Sequence, residues 1–367
     1  MSDPAFAGAI LTIDLDAIVD NWRQLAARVA PAGCAAVVKA DAYGLGADRV
    51  VPALAAAGCA TFFVATVEEA IAVRSLAPDA PVYVLNGAPR GAEAVLAEYR
   101  LSPVLNSLGD VDAWADLIRR QAAPPAALHV DTGMSRLGLP AAEMAALADD
   151  PSRLEGIDLA CVMSHLACAD EPDHPLNEEQ RLEFDEARRS LPAAPASFAN
   201  SSGVFLGAAY HLDLARPGVA LYGGTPVPDH PNPMVQVVEL KGRIVQVREI
   251  DSPRTVGYGA SHRVDRRTQI ATVAVGYADG FLRSLSNAAS GFIGAHRVPL
   301  VGRVSMDLIT FDVTHVPEDE ARPGAFVHLI DSRRPVDAVA ADAGTIGYEV
   351  LTSLGRRYHR IYRGGGS

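Results

Sequence analysis

The sequence predicts an α/β chain: a (β/α)8 barrel of the TIM type followed by a C-terminal, mainly β domain. Three observations predict it. Between residues 35 and 224, short apolar runs recur with helical patterns between them, at 35–40, 60–66, 81–87, 101–106, 126–133, 159–166, 196–202 and 212–222. Strands that alternate with helices pair in parallel, and eight of them close into a barrel. Several runs are apolar throughout, as strands covered on both faces are. Past the Pro-rich stretch 225–233, helices become sparse and strand-like segments follow at 235–247, 269–275, 292–301, 308–313 and 325–330. The boundary therefore falls between a barrel domain, 1–233, and a β domain, 234–367.

Taken in order, the opening strand-like segment 9–13 has no partner nearby and is expected to join the second domain. Apolar residues recur at helical spacing in 67–76, 107–121 and 178–190. The first barrel run ends in Lys39, and Gly44 and Gly46 punctuate the turn that leaves it. Asn86, Asn106, Asp131, His165, Asn200, Ser201 and Arg216 likewise fall at or just past the C-terminal ends of runs. A packed barrel interior excludes unpaired polar groups, so their gathering at one rim marks a site. A helical pattern at 335–357 interrupts the β domain, and residues 364–367 read as a flexible Gly-Ser tail outside the fold.

Composition narrows the classes. With 367 residues, 49% hydrophobic and 21% charged, the chain is globular and large enough for a sizeable core. No apolar stretch is free of charge for the ~18 residues of a membrane span. Residues 1–4 carry no basic n-region or apolar h-region, so no secretory leader is expected there. Cys34, Cys59, Cys161 and Cys168 show no CxxC spacing and read as buried thiols of a cytoplasmic protein. A net charge of −12 argues against nucleic acid or an anionic membrane as partner. The ten histidines form no metal-ligand pattern. Gly44-Leu45-Gly46 has no third glycine at Rossmann spacing, which leaves a dinucleotide fold little support.

The chemistry centres on Lys39. An amine at a strand end is half-desolvated, which lowers its pKa and favours the neutral nucleophile a Schiff base requires. Alone, the same lysine reads equally well as a solvated loop residue. A phosphate-bearing cofactor is the natural companion of such a lysine, with its phosphate on the loops after the last strands. Asn200-Ser201-Ser202-Gly203 and Pro217-Gly218-Val219 fall there and supply hydroxyls and open amides, although Ser-Gly turns are also common loop formers.

Along nearly its whole length the chain resembles the alanine racemases. The motifs are Val38-Lys39-Ala40-Asp41-Ala42-Tyr43-Gly44, Asp131-Thr132-Gly133-Met134-Ser135-Arg136-Leu137-Gly138 and Asn200-Ser201. Further along come Arg216-Pro217-Gly218-Val219-Ala220-Leu221-Tyr222-Gly223, Gly257-Tyr258-Gly259-Ala260, Gly276-Tyr277-Ala278-Asp279-Gly280, Gly302-Arg303-Val304-Ser305-Met306-Asp307 and Gly347-Tyr348-Glu349. It is their joint order that is specific.

The resemblance implies pyridoxal 5'-phosphate as cofactor and interconversion of L- and D-alanine, for peptidoglycan precursors or for D-alanine catabolism. It implies a head-to-tail homodimer. Lys39 would link the cofactor and serve one face of the substrate, and Tyr258 of the partner subunit the other. Tyr43, Asn200, Ser201, Gly218, Val219 and Tyr348 would bind the cofactor on its phosphate side. His165 would lie against the ring and Arg216 would bond its nitrogen. Arg136 and the Met306 amide would bind substrate, with Tyr277 at the cavity mouth.

Physical logic agrees with these assignments. Racemisation removes a proton from Cα and returns one from the opposite face, so two acid–base groups are needed. Lysine and tyrosine both titrate near 10 in isolation and need help to act near neutrality. A guanidinium keeps its proton, so Arg216 leaves the ring nitrogen largely unprotonated and weakens the electron sink.

One position departs from the family. Where alanine racemases usually carry a lysine, often carbamylated, two residues before Asp-Thr-Gly, this chain has His129. Imidazole lacks the negative charge that orients the arginine matching Arg136. The expectation is that His129 accepts a hydrogen bond from Arg136, or that a bound anion fills the deficit. Three rivals remain at this stage: a decarboxylase of the same barrel type, a cofactor carrier lacking the second domain, and a cofactor-free Schiff-base aldolase. Arg216 argues against the first and Tyr258 against the second.

Overall fold

The computed structural model describes residues 4–365. The first three residues, part of the segment read as lacking a leader, and the last two of the Gly-Ser tail lie outside them.

Seven strands form a parallel sheet in sequential order: Ala36–Val37, Phe62–Val64, Val82–Val84, Ser102–Leu105, Ala126–His129, Leu159–Met163 and Ala196–Ser197. Leu214–Ala215 pairs in parallel with Gly33–Cys34, immediately before the first of them. The Ala35 and Val37 amides bond the Ala215 and Pro217 carbonyls at 2.9 and 3.0 Å, and the Arg216 amide bonds the Ala199 carbonyl at 2.8 Å. The eight apolar runs thus form one barrel wall. Each strand is shorter than its run because the run's last residues leave the sheet to carry polar groups. Phe62, Phe63, Val82, Val84, Val104, Ala126 and Leu128 are fully buried, as a wall covered on both faces requires.

The expected helices form at Val67–Leu76, Leu108–Ile118 and Leu176–Arg189. Thr66 starts the first with a capping box to Glu69, and Ser107 caps the second by accepting from the Asp110 amide. Such caps contribute about 1 kcal/mol each.

One local result was invisible to pattern reading. The first run does not stay extended to residue 40. Its strand stops at Val37, and Ala40, Asp41, Ala42 and Tyr43 all have φ between +53° and +56°. Four consecutive left-handed residues, none a glycine, cost roughly 1–2 kcal/mol each. The turn is held by the Gly44 amide on the Ala40 carbonyl (2.7 Å), the Gly46 amide on the Asp41 carbonyl (2.9 Å) and the Ala47 amide on Asp41 Oδ1 (2.8 Å).

The second domain is built on the 13-residue strand Val238–Ile250, which pairs antiparallel with Thr268–Val273, Phe326–Ile330 and Ala9–Asp14. Ala9–Asp14 also pairs in parallel with His359–Arg363, so the first strand of the chain sits inside the second domain's sheet. Segment 292–301 is not one strand. It belongs to the hairpin Ser290–Ile293 and His296–Pro299, turned at Gly294 with φ +52°. The 335–357 pattern divides into Val336–Ala343 and Gly347–Ser353 at Gly344, φ +68°. The hairpin of Arg254–Val256 with His262–Val264 gave no apolar run to read, being largely exposed.

Candidate active site

A cavity of about 910 Å³ opens where the barrel strands end. Lys39, Tyr43, His165, Asn200, Ser201, Arg216, Gly218, Val219, Tyr348 and Arg136 all line it, as do Asn86 and His129. Tyr348 arrives from the second domain on Gly347–Ser353, so both domains of one chain contribute.

Lys39 lies two residues past the strand end and just before the left-handed turn, which points the chain away and leaves the amine in the cavity. Burial lowers its pKa, the Arg136 guanidinium lowers it further, and Glu69 opposes both.

Arg216 is 3% exposed and fully engaged on one side. Its NH2 donates to the Ser164 carbonyl at 2.7 Å and its NH1 to Ser197 Oγ. A longer contact of 3.5 Å reaches His165 Nδ1. Burial brings the guanidinium down to about 10, still charged at neutral pH. That charge, after burial itself, drives the His165 imidazole well below its ordinary pKa, so His165 is neutral.

At the far side, Tyr43 stacks on Tyr222 with ring centroids 4.6 Å apart. A Cβ at position 218 would lie 2.2 Å from the Tyr43 hydroxyl, so only glycine lets the two meet. Ser201 Oγ accepts the Gly218 and Ala220 amides at 2.8 and 3.2 Å, which fixes the 218–220 backbone beside it. Among the described residues, neither the Tyr43 nor the Tyr348 hydroxyl nor the Val219 amide makes a hydrogen bond. Uncommitted donors converging on one end of a cavity form a cradle for a multiply charged oxyanion.

His129 is paired otherwise than expected. Its Nδ1 lies 2.8 Å from Asn106 Oδ1, and no hydrogen bond joins it to Arg136. Asn106 Nδ2 contacts the Leu85 and Val104 carbonyls at 3.0 Å each. Two carbonyls demand a donor there, so Oδ1 must accept and His129 Nδ1 must carry its proton. Burial, then the Arg216 charge, lowers His129 to about 4. The imidazole is therefore neutral, and the Asn106 amide takes the partner role foreseen for Arg136. Arg136 itself is exposed, on a loop whose other residues are tied down: Asp131 Oδ1 accepts the Gly133, Met134 and Ser135 amides.

Tyr258, Tyr277 and Met306 do not reach this cavity. They lie on the second domain, 73%, 42% and 53% exposed. Tyr258 sits in the loop between the short hairpin strands, flanked by Gly257 and Gly259, and lines a shallow depression with Arg303, Ser305 and Leu308. Tyr277 and Met306 sit on two loops clamped together. A Cβ at Gly276 would fall 2.2 Å from the Met306 carbonyl, the Ala278 amide bonds that carbonyl at 3.0 Å, and Arg357 bridges Asp279 (3.0 Å) and Asp307 (2.8 Å).

Sequence reading missed Glu69, Thr345, Ile346 and Glu349. Glu69 acts from a helix cap next to the Ala40 amide, and the other three reach the cavity mouth only because the second domain folds back over the barrel. For Glu69 the Thr66-Val67-Glu68-Glu69 capping pattern was a legible signal.

Fold and cavity define a barrel enzyme with a lysine at the strand ends and a second, β domain contributing to the site. The family description "Alanine racemase, N-terminal domain" matches residues 13–226, and "Alanine racemase, C-terminal domain" matches 237–362. A Rhodospirillum rubrum protein named alanine racemase is 56% identical over 361 residues, covering 98% of this chain and 96% of its own length. A Mesorhizobium japonicum protein named "Alanine racemase, catabolic" is 52% identical, covering 98% and 95%. The crystal structure of alanine racemase from Bartonella henselae with covalently bound pyridoxal phosphate superposes with a TM-score of 0.94 at 43% identity, covering 97% of this chain and 100% of that one. The chain belongs to the alanine racemase family.

Proposed function

We propose that this chain racemises alanine with pyridoxal 5'-phosphate, through two acid–base groups contributed by different subunits of a head-to-tail homodimer. One observation carries the reading. The Lys39 amine and the buried Arg216 guanidinium face a single cavity whose far end presents the uncommitted Tyr43 and Tyr348 hydroxyls and the Val219 amide. A ring with an aldehyde, a basic nitrogen and a phosphate matches that spread of partners. Pyridoxal phosphate, when bound, supplies an electron sink that makes the amino-acid Cα–H acidic enough to remove.

The chain's own groups supply the rest. The Tyr43 and Tyr348 hydroxyls, the Ser201 O–H and the Val219 amide hold the phosphate, with Gly218 leaving room for Tyr43 and Asn200 shaping that loop by accepting the Gly203 amide at 2.9 Å. His165, neutral, covers a ring face. Arg216, held by Ser197 and the Ser164 carbonyl, offers its remaining donors to the ring nitrogen without giving up its proton. Lys39 takes or returns the Cα proton on one face, and its lowered pKa raises its neutral fraction. Tyr258 of the partner subunit serves the opposite face; its 73% exposure within one chain is what a residue acting on another subunit requires. Arg136 and the partner's Met306 amide bind the substrate carboxylate region, and the partner's Tyr277 narrows the mouth.

Arg216 also separates this reading from decarboxylation, which calls for an acidic partner on the ring nitrogen. The reaction is reversible and serves D-alanine supply for peptidoglycan or D-alanine catabolism. The four cysteines are free thiols, Cys59 and Cys161 buried as expected and Cys34 and Cys168 only partly so, which fits a cytoplasmic setting, and among the described residues no helix is long and apolar enough to cross a membrane.

The test follows Cα deuterium exchange from solvent into each alanine enantiomer by wild type, Lys39→Ala and Tyr258→Phe. Wild type should exchange and racemise both. Lys39→Ala should lose both, and Tyr258→Phe should lose exchange from one enantiomer first. Enantiopure alanine left optically unchanged by cofactor-replete wild type would sink the assignment.

A further inference from the structure

We infer that Glu69 is a positioning residue for Lys39: one carboxylate ties the left-handed turn after the lysine to the start of the next helix and so fixes where the amine sits. The inference rests on Lys39 being the reactive amine.

The two carboxylate oxygens have separate tasks. Oε2 accepts the Ala65 and Thr66 amides at 2.8 and 3.3 Å, closing the capping box that begins Val67–Leu76. Oε1 is turned away from that helix and accepts the Ala40 amide at 2.7 Å. Ala40 is the residue after Lys39 and the first of the four left-handed residues. A capping box alone is served equally by glutamine, which needs only one accepting oxygen. Here both oxygens face N–H groups, so a glutamine would set its own NH2 against one of them. The bond at Ala40 is also charge-assisted, the stronger kind, at the point where the backbone departs from its preferred conformation.

The same carboxylate acts on the amine through space. Lys39 faces Arg136 from the 131–138 loop, His165 from beyond the Leu159–Met163 strand and Glu69 from the helix start. Burial and Arg136 disfavour its protonation, and Glu69 favours it. Removing the negative charge should therefore lower the pH at which Lys39 titrates.

The test compares Glu69→Gln with Thr66→Ala in the full-length holoenzyme. Thr66→Ala removes the cap hydroxyl that accepts the Glu69 amide but leaves the Ala40 contact intact. Amide exchange of segment 38–47, followed by mass spectrometry, should accelerate at least tenfold in Glu69→Gln, as expected where a local bond is lost, and stay within about twofold in Thr66→Ala. The pH profile of kcat, which reports the substrate complex in which the Lys39 amine is free, should move to lower pH in Glu69→Gln alone, with kcat falling about tenfold and KM changing little. Identical exchange and pH profiles in the two variants would overturn the inference and reduce Glu69 to a helix cap. Should Glu69→Gln fail to fold, Glu69→Asp keeps the charge on a shorter arm; unchanged exchange at 38–47 in that variant also overturns it. Racemisation persisting in Lys39→Ala would instead overturn the reading of Lys39 itself.

Discussion

The cavity at the barrel mouth and the exposed face of the second domain hold residues of the same kinds, yet they are prepared differently. At the barrel mouth, functional side chains are held by partners: Arg216 by Ser197 and a carbonyl, His129 by Asn106, and the 218–220 backbone by Ser201. On the second domain, Tyr258 is 73% exposed and its hydroxyl bonds nothing among the described residues, although the loops bearing Tyr277 and Met306 are clamped by Arg357. Rigid loops that display uncommitted side chains suit a role at an interface. The contrast is what the proposed composite site requires, one chain supplying the prepared cavity and its partner the exposed tyrosine, and it can be broken experimentally.

The sharpest break is subunit mixing. Lys39→Ala and Tyr258→Phe chains should each be nearly inactive alone, by roughly 10³-fold or more for the lysine, since acid–base and covalent roles coincide there. Unfolded and refolded together, they should recover about a quarter of wild-type activity, because half of the dimers would contain one intact composite site. Recovery absent from a correctly refolded mixture would place both groups in the same chain's site.

Next in size is Gly218→Ala. Its new methyl would collide with the Tyr43 hydroxyl, so the Tyr43–Tyr222 stack must shift. Overpacking of this kind costs about 1–3 kcal/mol, and cofactor affinity should fall at least tenfold. A titration of cofactor fluorescence or absorbance reads the loss, and an unchanged affinity would remove Gly218 from the phosphate cradle.

The extent to which all this was legible varies with how local the cause is. The apolar runs, the lysine at a strand end and the polar rim could be read because burial on both faces leaves a compositional trace. The left-handed turn could not: Ala40, Asp41, Ala42 and Tyr43 have no glycine among them, and their conformation is held by Glu69 from the next helix and by Asp41 accepting the Ala47 amide. The His129 pairing was missed for a similar reason. Asn106 was read as a rim residue, but its two carbonyl contacts, and hence the direction of its amide, exist only in three dimensions. Tyr258 lies in a loop between two glycines that its motif spells out, while the short strands around it were too exposed to announce themselves.

The barrel mouth also carries a dependence on pH. His129 titrates at about 4 when folded against an ordinary value near 6.5. The unfolded chain therefore binds the proton first, so this group's contribution is complete above about pH 6.5 and lost as pH falls towards 4. The loss amounts to on the order of 3 kcal/mol. His129→Gln should flatten the acid limb of a stability profile measured by denaturant midpoint between pH 7 and 4.5. An identical limb in that variant would show that His129 is not neutral in the fold.

The mildest test addresses the clamp on the second domain. Arg357→Met should raise KM by a few-fold through looser Tyr277 and Met306 loops while leaving the denaturant midpoint nearly unchanged, since exposed ion pairs add little to stability. A KM unchanged in that variant would separate the clamp from substrate binding.

The strand Ala9–Asp14 is made long before the strands it pairs with, Val238–Ile250 and His359–Arg363. At translation rates of ~5–20 residues per second, it leaves the ribosome tens of seconds before its last neighbour exists. The β sheet is consequently sealed only once His359–Arg363 has been made. A chain lacking that strand would leave Ala9–Asp14 with an open edge, which is a template for association with other chains.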